Sequence, residues 1–352
     1  MAAKELLGLG LTALRSNFTT LEKPYKLNYA ITYRCNSRCR TCSIWKQEPR
    51  GELTLQEIRE FAGKNRSFRW IELTGGEPFL RSDIVEIVRT FKENSDGLYL
   101  LTMPTNSLCN PEKEVAQIAE MASMGIPQIA ITVSLDGNRE FHDKVRGIPG
   151  NYDRAIALFK RLTELRREHR AVLPVFGYTL SRINQGHFRD TFESVKEDIP
   201  GITHNDFHIN LAQMSDNYYA NAGEDILPDR HVALGELEYF FANLRKGSVV
   251  SRVEYAFIKR LIEFTKTGVP PMRCKSLDAS VFVDSSGNVY PSIMWNRRLA
   301  NLREIGYDLG RIWSGPAARE IREQIRKGKD PVHWTSCEAY QSIAGNLLSL
   351  LD

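Results

Sequence analysis

The sequence lacks a long apolar run. None of its 352 residues lies in a stretch that approaches the roughly 20 consecutive apolar residues of a membrane-spanning helix. The apolar segment 6–14 is short and has no clear small-residue cleavage site after it, which argues against a signal peptide. We expect a helix here that packs on the domain, with a peripheral membrane contact as the alternative. Its apolar face would consist of Leu7, Leu11, Leu14 and Phe18.

The chain also lacks a strong charge of either sign. Its formal net charge is +4 and its isoelectric point is about 8.6. This balance is too weakly basic to argue for nucleic-acid binding, so we expect no nucleic-acid partner. Apolar residues make up 42% of the sequence, which allows a sizeable core and argues against disorder.

Cysteine is scarce, and its spacing does not suggest disulfides. Three of the six cysteines fall within one short segment, and no fourth lies near them. Clustered thiols in a long chain indicate metal binding in a reducing compartment, so we expect a cytoplasmic protein. Structural zinc normally takes four protein ligands, whereas three thiolates on an iron–sulfur cube leave one iron open. The cysteines are Cys35, Cys39, Cys42, Cys109, Cys274 and Cys337.

Strand and helix patterns alternate six times. A capping box at Thr54–Glu57, for example, predicts the start of the first of these helices. Such alternation indicates a parallel sheet with helices outside, and a site at the carboxyl ends of its strands. We predict an α/β fold with a partial (β/α)6 TIM-type barrel, although periodicity alone also allows a closed eight-unit barrel. The predicted strands are 27–32, 70–74, 98–103, 129–135, 172–180 and 206–211.

The pattern changes near Pro270. Segments 280–284 and 289–293 flank Ser285–Asn288, which predicts a β-hairpin, and a helix is expected over 317–327. We therefore predict three units: an N-terminal helix over 1–24, the barrel over 25–269, and a small α+β extension, hairpin plus helix, over 270–352.

Two motifs follow the first two predicted strands. Segment 35–42 has the spacing C-x3-C-x2-C, and Gly75-Gly76-Glu77-Pro78 ends the second strand. Glycines let the backbone approach a ligand, although this motif alone also fits a simple turn. Together the motifs resemble the radical S-adenosylmethionine (SAM) superfamily. The resemblance implies a 4Fe-4S cluster on Cys35, Cys39 and Cys42, SAM on the open iron, and hydrogen bonds between residues 75–78 and the SAM amino group.

The resemblance implies further contacts to SAM at later strand ends. Ser134 and Asp136 would contact its carboxylate or ribose, and Asn106 would lie near the ribose. His142-Asp143 and Arg146-Gly147 match a stretch common in the family, with a structural role as the alternative, and Arg154 is a further candidate for the carboxylate. Ser107 stands where a glycine is often seen in the family. Helix capping by Asp136 and turn formation by Asn106 are the alternatives.

The C-terminal region resembles the SPASM/twitch extensions, which hold auxiliary iron–sulfur clusters. Ser292 replaces one expected cysteine. Three interpretations stay open: an auxiliary cluster on Cys274, His333 and Cys337, a retained fold without a cluster, or plain buried thiols. Cys109 is expected to be a buried small hydrophobe, with a thiol hydrogen donor to a substrate radical as the alternative.

The family's mechanism implies reductive cleavage of SAM to a 5′-deoxyadenosyl radical. This radical would abstract hydrogen from an organic substrate, a peptide or a small biosynthetic metabolite, and the electron would come from a flavodoxin- or ferredoxin-type donor. The alternatives are a non-catalytic iron–sulfur or zinc protein, a methylating enzyme, and a lipid-modifying enzyme. The last would use the apolar residues Tyr218-Tyr219, Phe240-Phe241 and Leu347–Leu351.

Overall fold

A single open sheet organises the protein. The computed structural model describes residues 2–346, and the segment Leu347–Leu351 lies outside them. In this range nine strands run in the order β6-β5-β4-β3-β2-β1-β7-β8-β9. Their bounds are β1 Lys26–Thr32, β2 Trp70–Gly75, β3 Leu100–Thr105, β4 Gln128–Ser134, β5 Val172–Leu180, β6 Phe207–Leu211, β7 Ser280–Val283, β8 Asn288–Tyr290 and β9 Ala300–Asn301.

Helices connect the parallel strands and cover the sheet. They are α1 Ala2–Arg15, α2 Leu55–Lys64, α3 Ile84–Asn94, α4 Pro111–Ser123, α5 Arg139–Arg146, α6 Asn151–Glu168, α7 Phe188–Asp198, α8 Arg230–Asn243, α9 Val249–Thr267, α10 Gly310–Trp313, α11 Pro316–Arg326 and α12 Ser336–Gly345. The predicted capping box is present: Thr54 Oγ1 accepts from the Glu57 backbone, and the Glu57 carboxylate accepts from the Thr54 backbone.

The six predicted strand–helix units are confirmed as a parallel sheet with helices outside. Strands β1 to β6 pair in parallel, each with its neighbour in sequence. Within residues 2–346 the two edge strands of the sheet are β6 and β9, and they do not pair with each other, so the sheet is open. This excludes the closed eight-unit barrel and leaves the partial barrel.

The predicted hairpin is present in the extension, but it does not form a separate sheet. β7 and β8 pair antiparallel, with Phe282 opposite Tyr290. β7 also pairs in parallel with β1, with Ser280 opposite Lys26. The strands past residue 270 therefore continue the barrel sheet. The domain boundary near residue 270 stays a prediction.

The N-terminal helix packs on the domain, but not through the predicted face. Of the four predicted residues, Leu7, Leu11 and Phe18 are 63%, 57% and 78% exposed and Leu14 is half-buried, whereas Ala13 is fully buried. Ala13 of α1 packs in a small apolar cluster to which Leu9 of α1 and Ala344 of α12 also belong. Asn17, just after α1, donates a hydrogen bond to the carbonyl of Gly345 at the end of α12. The predicted packing face was therefore wrong. No helix in the described range is long and apolar enough to cross a bilayer.

Candidate functional site

The three-cysteine loop follows β1 and is held by the end of α5. The backbone N–H of Arg38 donates to the carbonyl of Arg146 at 3.1 Å, and that of Arg40 donates to the carbonyl of Val145 at 2.8 Å. Ser37 Oγ adds a bond to the Arg146 carbonyl at 3.2 Å. The last carbonyls of a helix have no partner within the helix, so α5 is a ready acceptor for this loop.

The thiols of the loop suit an iron–sulfur cluster better than a single zinc ion. In the described chain their sulfurs do not all lie within 4.8 Å of one another, whereas thiolates on one tetrahedral zinc ion lie about 4 Å apart. Burial raises the pKa of Cys35 to about 11 and that of Cys42 to about 12. Without a cation these two thiols stay protonated at neutral pH, so a metal group is needed to stabilise the thiolates.

Gly75 and Gly76 let the end of β2 lie against the cysteine loop. The N–H of Gly76 donates to the carbonyl of Thr32 at 2.8 Å. A Cβ on Gly75 would lie 2.0 Å from that same carbonyl oxygen, and Gly75 has φ = +137°. A Cβ on Gly76 would lie 2.2 Å from the carbonyl oxygen of Arg34 and 3.0 Å from Cys35 Cβ. Both positions therefore require glycine to bring the two motifs together.

The Glu77 side chain positions its neighbours. One carboxylate oxygen accepts from the N–H of Asn106 at 2.7 Å, and the other accepts from the N–H of Phe79 at 3.1 Å. The Asn106 amide then donates to Asn36 Oδ1, inside the cysteine loop, at 2.8 Å. Pro78 starts a short 3-10 helix. The ends of β1, β2 and β3 thus form one connected site, as the motif spacing predicted.

Asp136 is committed to contacts within the protein. One of its oxygens forms an ion pair with Arg146 Nε at 2.6 Å, and the other accepts from the N–H of Thr179 at 2.8 Å. Arg146 Nη1 also lies 3.6 Å from Cys39 Sγ. Arg154, in contrast, is exposed on α6. Arg146 is therefore the arginine that the structure brings to the cysteine loop, and Arg154 is not.

The other predicted positions lie near the site or in the core. Ser134 is half-buried at the carboxyl end of β4. Ser107 has φ = +62°, a conformation that glycine adopts more easily, which fits the glycine seen there in the family. Cys109 is half-buried against the main core, as expected of a small hydrophobe. Ser292 is buried, and its hydroxyl accepts from the N–H of Met294 at 3.2 Å.

The predicted auxiliary-cluster residues do not all come together. One ligand atom each of Cys274, Asp330 and His333 lie within 4.8 Å of one another. Cys337 is not in this group, and its thiol donates to Glu72 Oε1 at 3.1 Å. With one thiol, these three residues do not fit a cysteine-held iron–sulfur cluster.

Two buried carboxyl groups make stability near this site depend on pH. Burial raises the pKa of Glu77 to about 8 and that of Glu114 to about 7, and the charge of Glu114 further raises the pKa of Glu77. When folding raises the pKa of a carboxyl, the folded state favours the protonated form. The resulting stability is fully present below the pKa of the unfolded chain, and it is lost as the pH rises through the pKa of the folded protein.

The wild-type protein is therefore expected to lose stability as the pH rises from about 5 to about 8. In Glu114→Gln this loss should be smaller by about 1–3 kcal/mol. Thermal unfolding midpoints across this range measure the effect. Glu120→Gln on the same helix is the control, because Glu120 is exposed in its ion pair with Arg89. Identical pH profiles for the wild type and Glu114→Gln would contradict the prediction.

The fold and the site together define a partial barrel with three cysteine thiols grouped at the carboxyl end of its first strand. Residues 29–195 match the family model described as Radical SAM superfamily. This segment is therefore identified as a radical SAM domain, and members of that superfamily use a 4Fe-4S cluster and SAM.

Curated relatives match over parts of the chain. An AdoMet-dependent heme synthase from Methanosarcina barkeri is 31% identical over 180 residues, covering 49% of this chain and 48% of that protein. The mycofactocin maturase MftC of Mycolicibacterium smegmatis is 30% identical over 148 residues, covering 41% of this chain and 35% of that protein. The chain thus spans half or less of the length of these relatives.

Solved structures show the same fold. Streptococcus suis SuiB bound to S-adenosylmethionine has a TM-score of 0.60 at 17% identity, covering 88% of this chain and 69% of that one. Native anSMEcpe with bound AdoMet and Cp18Cys peptide has a TM-score of 0.57 at 14% identity, covering 93% of this chain and 97% of that one. At these identities the likeness concerns the fold alone.

Proposed function

We propose that the protein cleaves SAM reductively and uses the resulting radical to abstract hydrogen from an organic substrate. The substrate class we favour is a peptide or a small biosynthetic metabolite. The observation that carries the proposal is the loop of three thiols packed directly against the Gly75-Gly76 turn. When bound at these thiols, the cluster and SAM supply the 5′-deoxyadenosyl radical.

The residues of the chain would position the cofactor and protect it. Cys35, Cys39 and Cys42 would hold three irons, and the backbone of residues 75–78 would accept hydrogen bonds from the SAM amino group. Arg146 places a positive charge 3.6 Å from Cys39 Sγ, where it offsets the negative charge of a thiolate-held cluster.

Aromatic side chains would form the substrate side of the site. Cys42 packs in an apolar cluster with Tyr33, Tyr218, Tyr219 and Cys337. The Tyr218 hydroxyl lies 2.7 Å from Thr74 Oγ1 and 3.3 Å from the Gly75 carbonyl oxygen. These rings would exclude water from a reactive radical, and they link the cysteine loop to the barrel interior.

The reaction also needs an electron donor, and the outer face of the cysteine loop is basic. Arg34, Arg38, Arg40 and Lys46 are exposed on and beside the loop. Such a patch favours docking of an acidic one-electron carrier of the flavodoxin or ferredoxin type.

Joint replacement of Cys35, Cys39 and Cys42 by alanine is expected to lower the iron content of anaerobically prepared protein from about four atoms per chain to none. Formation of 5′-deoxyadenosine from SAM and a reductant should fall to background in the same variant. Iron analysis and chromatography of the nucleoside products measure both effects.

Cys109→Ala is the matched control, since it removes a thiol from the core and should leave iron bound. Full iron or turnover in the triple variant would refute the proposal. Accumulation of S-adenosylhomocysteine with a methylated product would instead identify methylation.

A further inference from the structure

Three side chains with metal-binding chemistry meet where the extension packs on the barrel. Cys274 precedes β7, whereas Asp330 and His333 lie between α11 and α12. Their ligand atoms all lie within 4.8 Å of one another. Residues from two separate segments of the chain thus converge on one point.

His333 gives the second observation. Its side chain is buried, with only 6% of the residue exposed. Its Nδ1 atom is also buried and has no hydrogen-bond partner among the described residues. A buried polar atom without a partner is costly, and it requires a ligand or another explanation.

The surroundings of the thiol also suit a metal ligand. The backbone N–H of Ser276 lies 3.4 Å from Cys274 Sγ, and the Ser276 hydroxyl lies 3.0 Å from it. The N–H can donate to the sulfur, whereas the hydroxyl donates to Glu338 Oε2 at 3.1 Å. Such outer contacts orient a metal ligand. Cys274 and Asp330 are half-buried residues, and His333 is buried.

We propose that Cys274, Asp330 and His333 bind one divalent transition-metal ion, with zinc as the expected occupant. Thiolate sulfur, imidazole nitrogen and carboxylate oxygen are all zinc ligands, and at bond lengths of 2.0–2.3 Å they lie about 3.5 Å apart around the ion. Binding releases the Cys274 thiol proton to solvent and involves no change of redox state. The charges of the thiolate and the carboxylate then balance the two positive charges of the ion, and water takes the fourth position.

The donor set distinguishes this site from an auxiliary iron–sulfur cluster. Such clusters are held mainly by several cysteine thiolates, and this group contains one thiol. The Cys337 thiol is engaged with Glu72. A mixed sulfur, nitrogen and oxygen set with one thiol is typical of a mononuclear site.

The ion would fix the position of α12. This helix starts at Ser336, shortly after His333, and carries Cys337 and Glu338. The Cys337 thiol donates to Glu72 on β2, and the Glu338 carboxylate accepts from Asn28 on β1 at 3.1 Å. A metal link from Cys274 to the start of α12 would therefore hold this helix against the barrel strands.

The test uses the full chain with its cluster already in place, because the thiols of the three-cysteine loop also bind zinc. Cluster-loaded protein is incubated with Zn²⁺, dialysed and analysed for zinc and iron. We expect one zinc per chain, with affinity reduced at least about 100-fold in Cys274→Ser and in His333→Ala. Cys337→Ser is the matched control and should retain the zinc.

Cobalt provides a second readout if one variant folds poorly. Co²⁺ at this site should give a sulfur-to-cobalt charge-transfer band in the wild type and in Cys337→Ser, and the band should be absent in Cys274→Ser. The proposal is overturned if zinc binding is the same in Cys274→Ser and His333→Ala as in the wild type. It is also overturned if the wild type holds about eight irons and loses half of them in Cys274→Ser.

This outcome is separable from the proposed function. Iron at the three-cysteine loop and formation of 5′-deoxyadenosine depend on Cys35, Cys39 and Cys42, and the zinc should remain when these three are replaced by alanine.

Discussion

Alanine at position 76 is expected to lower cluster occupancy several-fold and to destabilise the fold by about 1–3 kcal/mol, the usual cost of overpacking. The added Cβ would lie 2.2 Å from the carbonyl oxygen of Arg34 and 3.0 Å from Cys35 Cβ. The first of these atoms is backbone, so it cannot move away by a side-chain rotation. The cysteine loop itself must shift, which moves the Cys35 thiol. Iron per chain and the thermal unfolding midpoint measure the two effects.

Gly235→Ala provides the matched control. Gly235 lies within α8, and a Cβ there would meet no atom within 4 Å. Alanine should therefore stabilise this helix by up to about 1 kcal/mol and leave the iron content unchanged. Equal iron content in Gly76→Ala and Gly235→Ala would show that the close contact at residue 76 does not position the loop.

Replacing Arg146 with glutamine should have a comparably large effect. Arg146 forms the 2.6 Å ion pair with Asp136, and Asp136 is only 1% exposed. Breaking a buried pair leaves an uncompensated charge and typically costs about 3–5 kcal/mol. The loss of positive charge beside Cys39 should also weaken iron retention. Chemical unfolding and iron analysis of Arg146→Gln measure these changes.

Arg154→Gln is the control, since Arg154 is exposed on the next helix. Exposed substitutions of this kind change stability by about 0.5 kcal/mol or less. The double variant Arg146→Gln with Asp136→Asn should cost less than the sum of the two single changes, because it removes the unpaired charge. Equal losses in Arg146→Gln and Arg154→Gln would contradict the assigned role of Arg146.

The sheet could be predicted because its strands are short, buried and regularly spaced. Each lies between turn signals, and the alternation with helices allows few topologies. The order of the first two motifs then placed Cys35 and Gly75 at neighbouring strand ends without any tertiary information. Parallel strands bring their carboxyl ends to one edge, so this part of the site follows from chain order alone.

The choice between Arg146 and Arg154 could not be made from the sequence. Arg146 ends α5, a helix of eight residues whose pattern is too short for a periodicity argument. Its boundaries do carry signals, with Asn138 as the N-cap and Gly147 in a left-handed conformation at the end. Those signals predict a helix there, but its orientation toward the cysteine loop depends on tertiary packing.

The same limit applies to Asp330 and to the N-terminal helix. A lone aspartate in a loop has no distinctive pattern, so its proximity to Cys274 is visible only in three dimensions. The stripe of leucines on α1 predicted a buried face, but α1 contacts its neighbour through Ala13, whose small side chain allows close approach. Apolar spacing indicates which residues share a face, but not which face is covered.

The pairing of β1 with β7 affects the order in which the protein can mature during translation. β1 leaves the ribosome long before its neighbour on one side, Ser280–Val283, is synthesised. Until then one edge of the strand that leads into the cysteine loop has free backbone groups, and such edges invite pairing with other chains. Contacts so distant in sequence also form slowly. A nascent chain therefore carries its metal-binding thiols beside an unprotected strand edge until the C-terminal extension arrives.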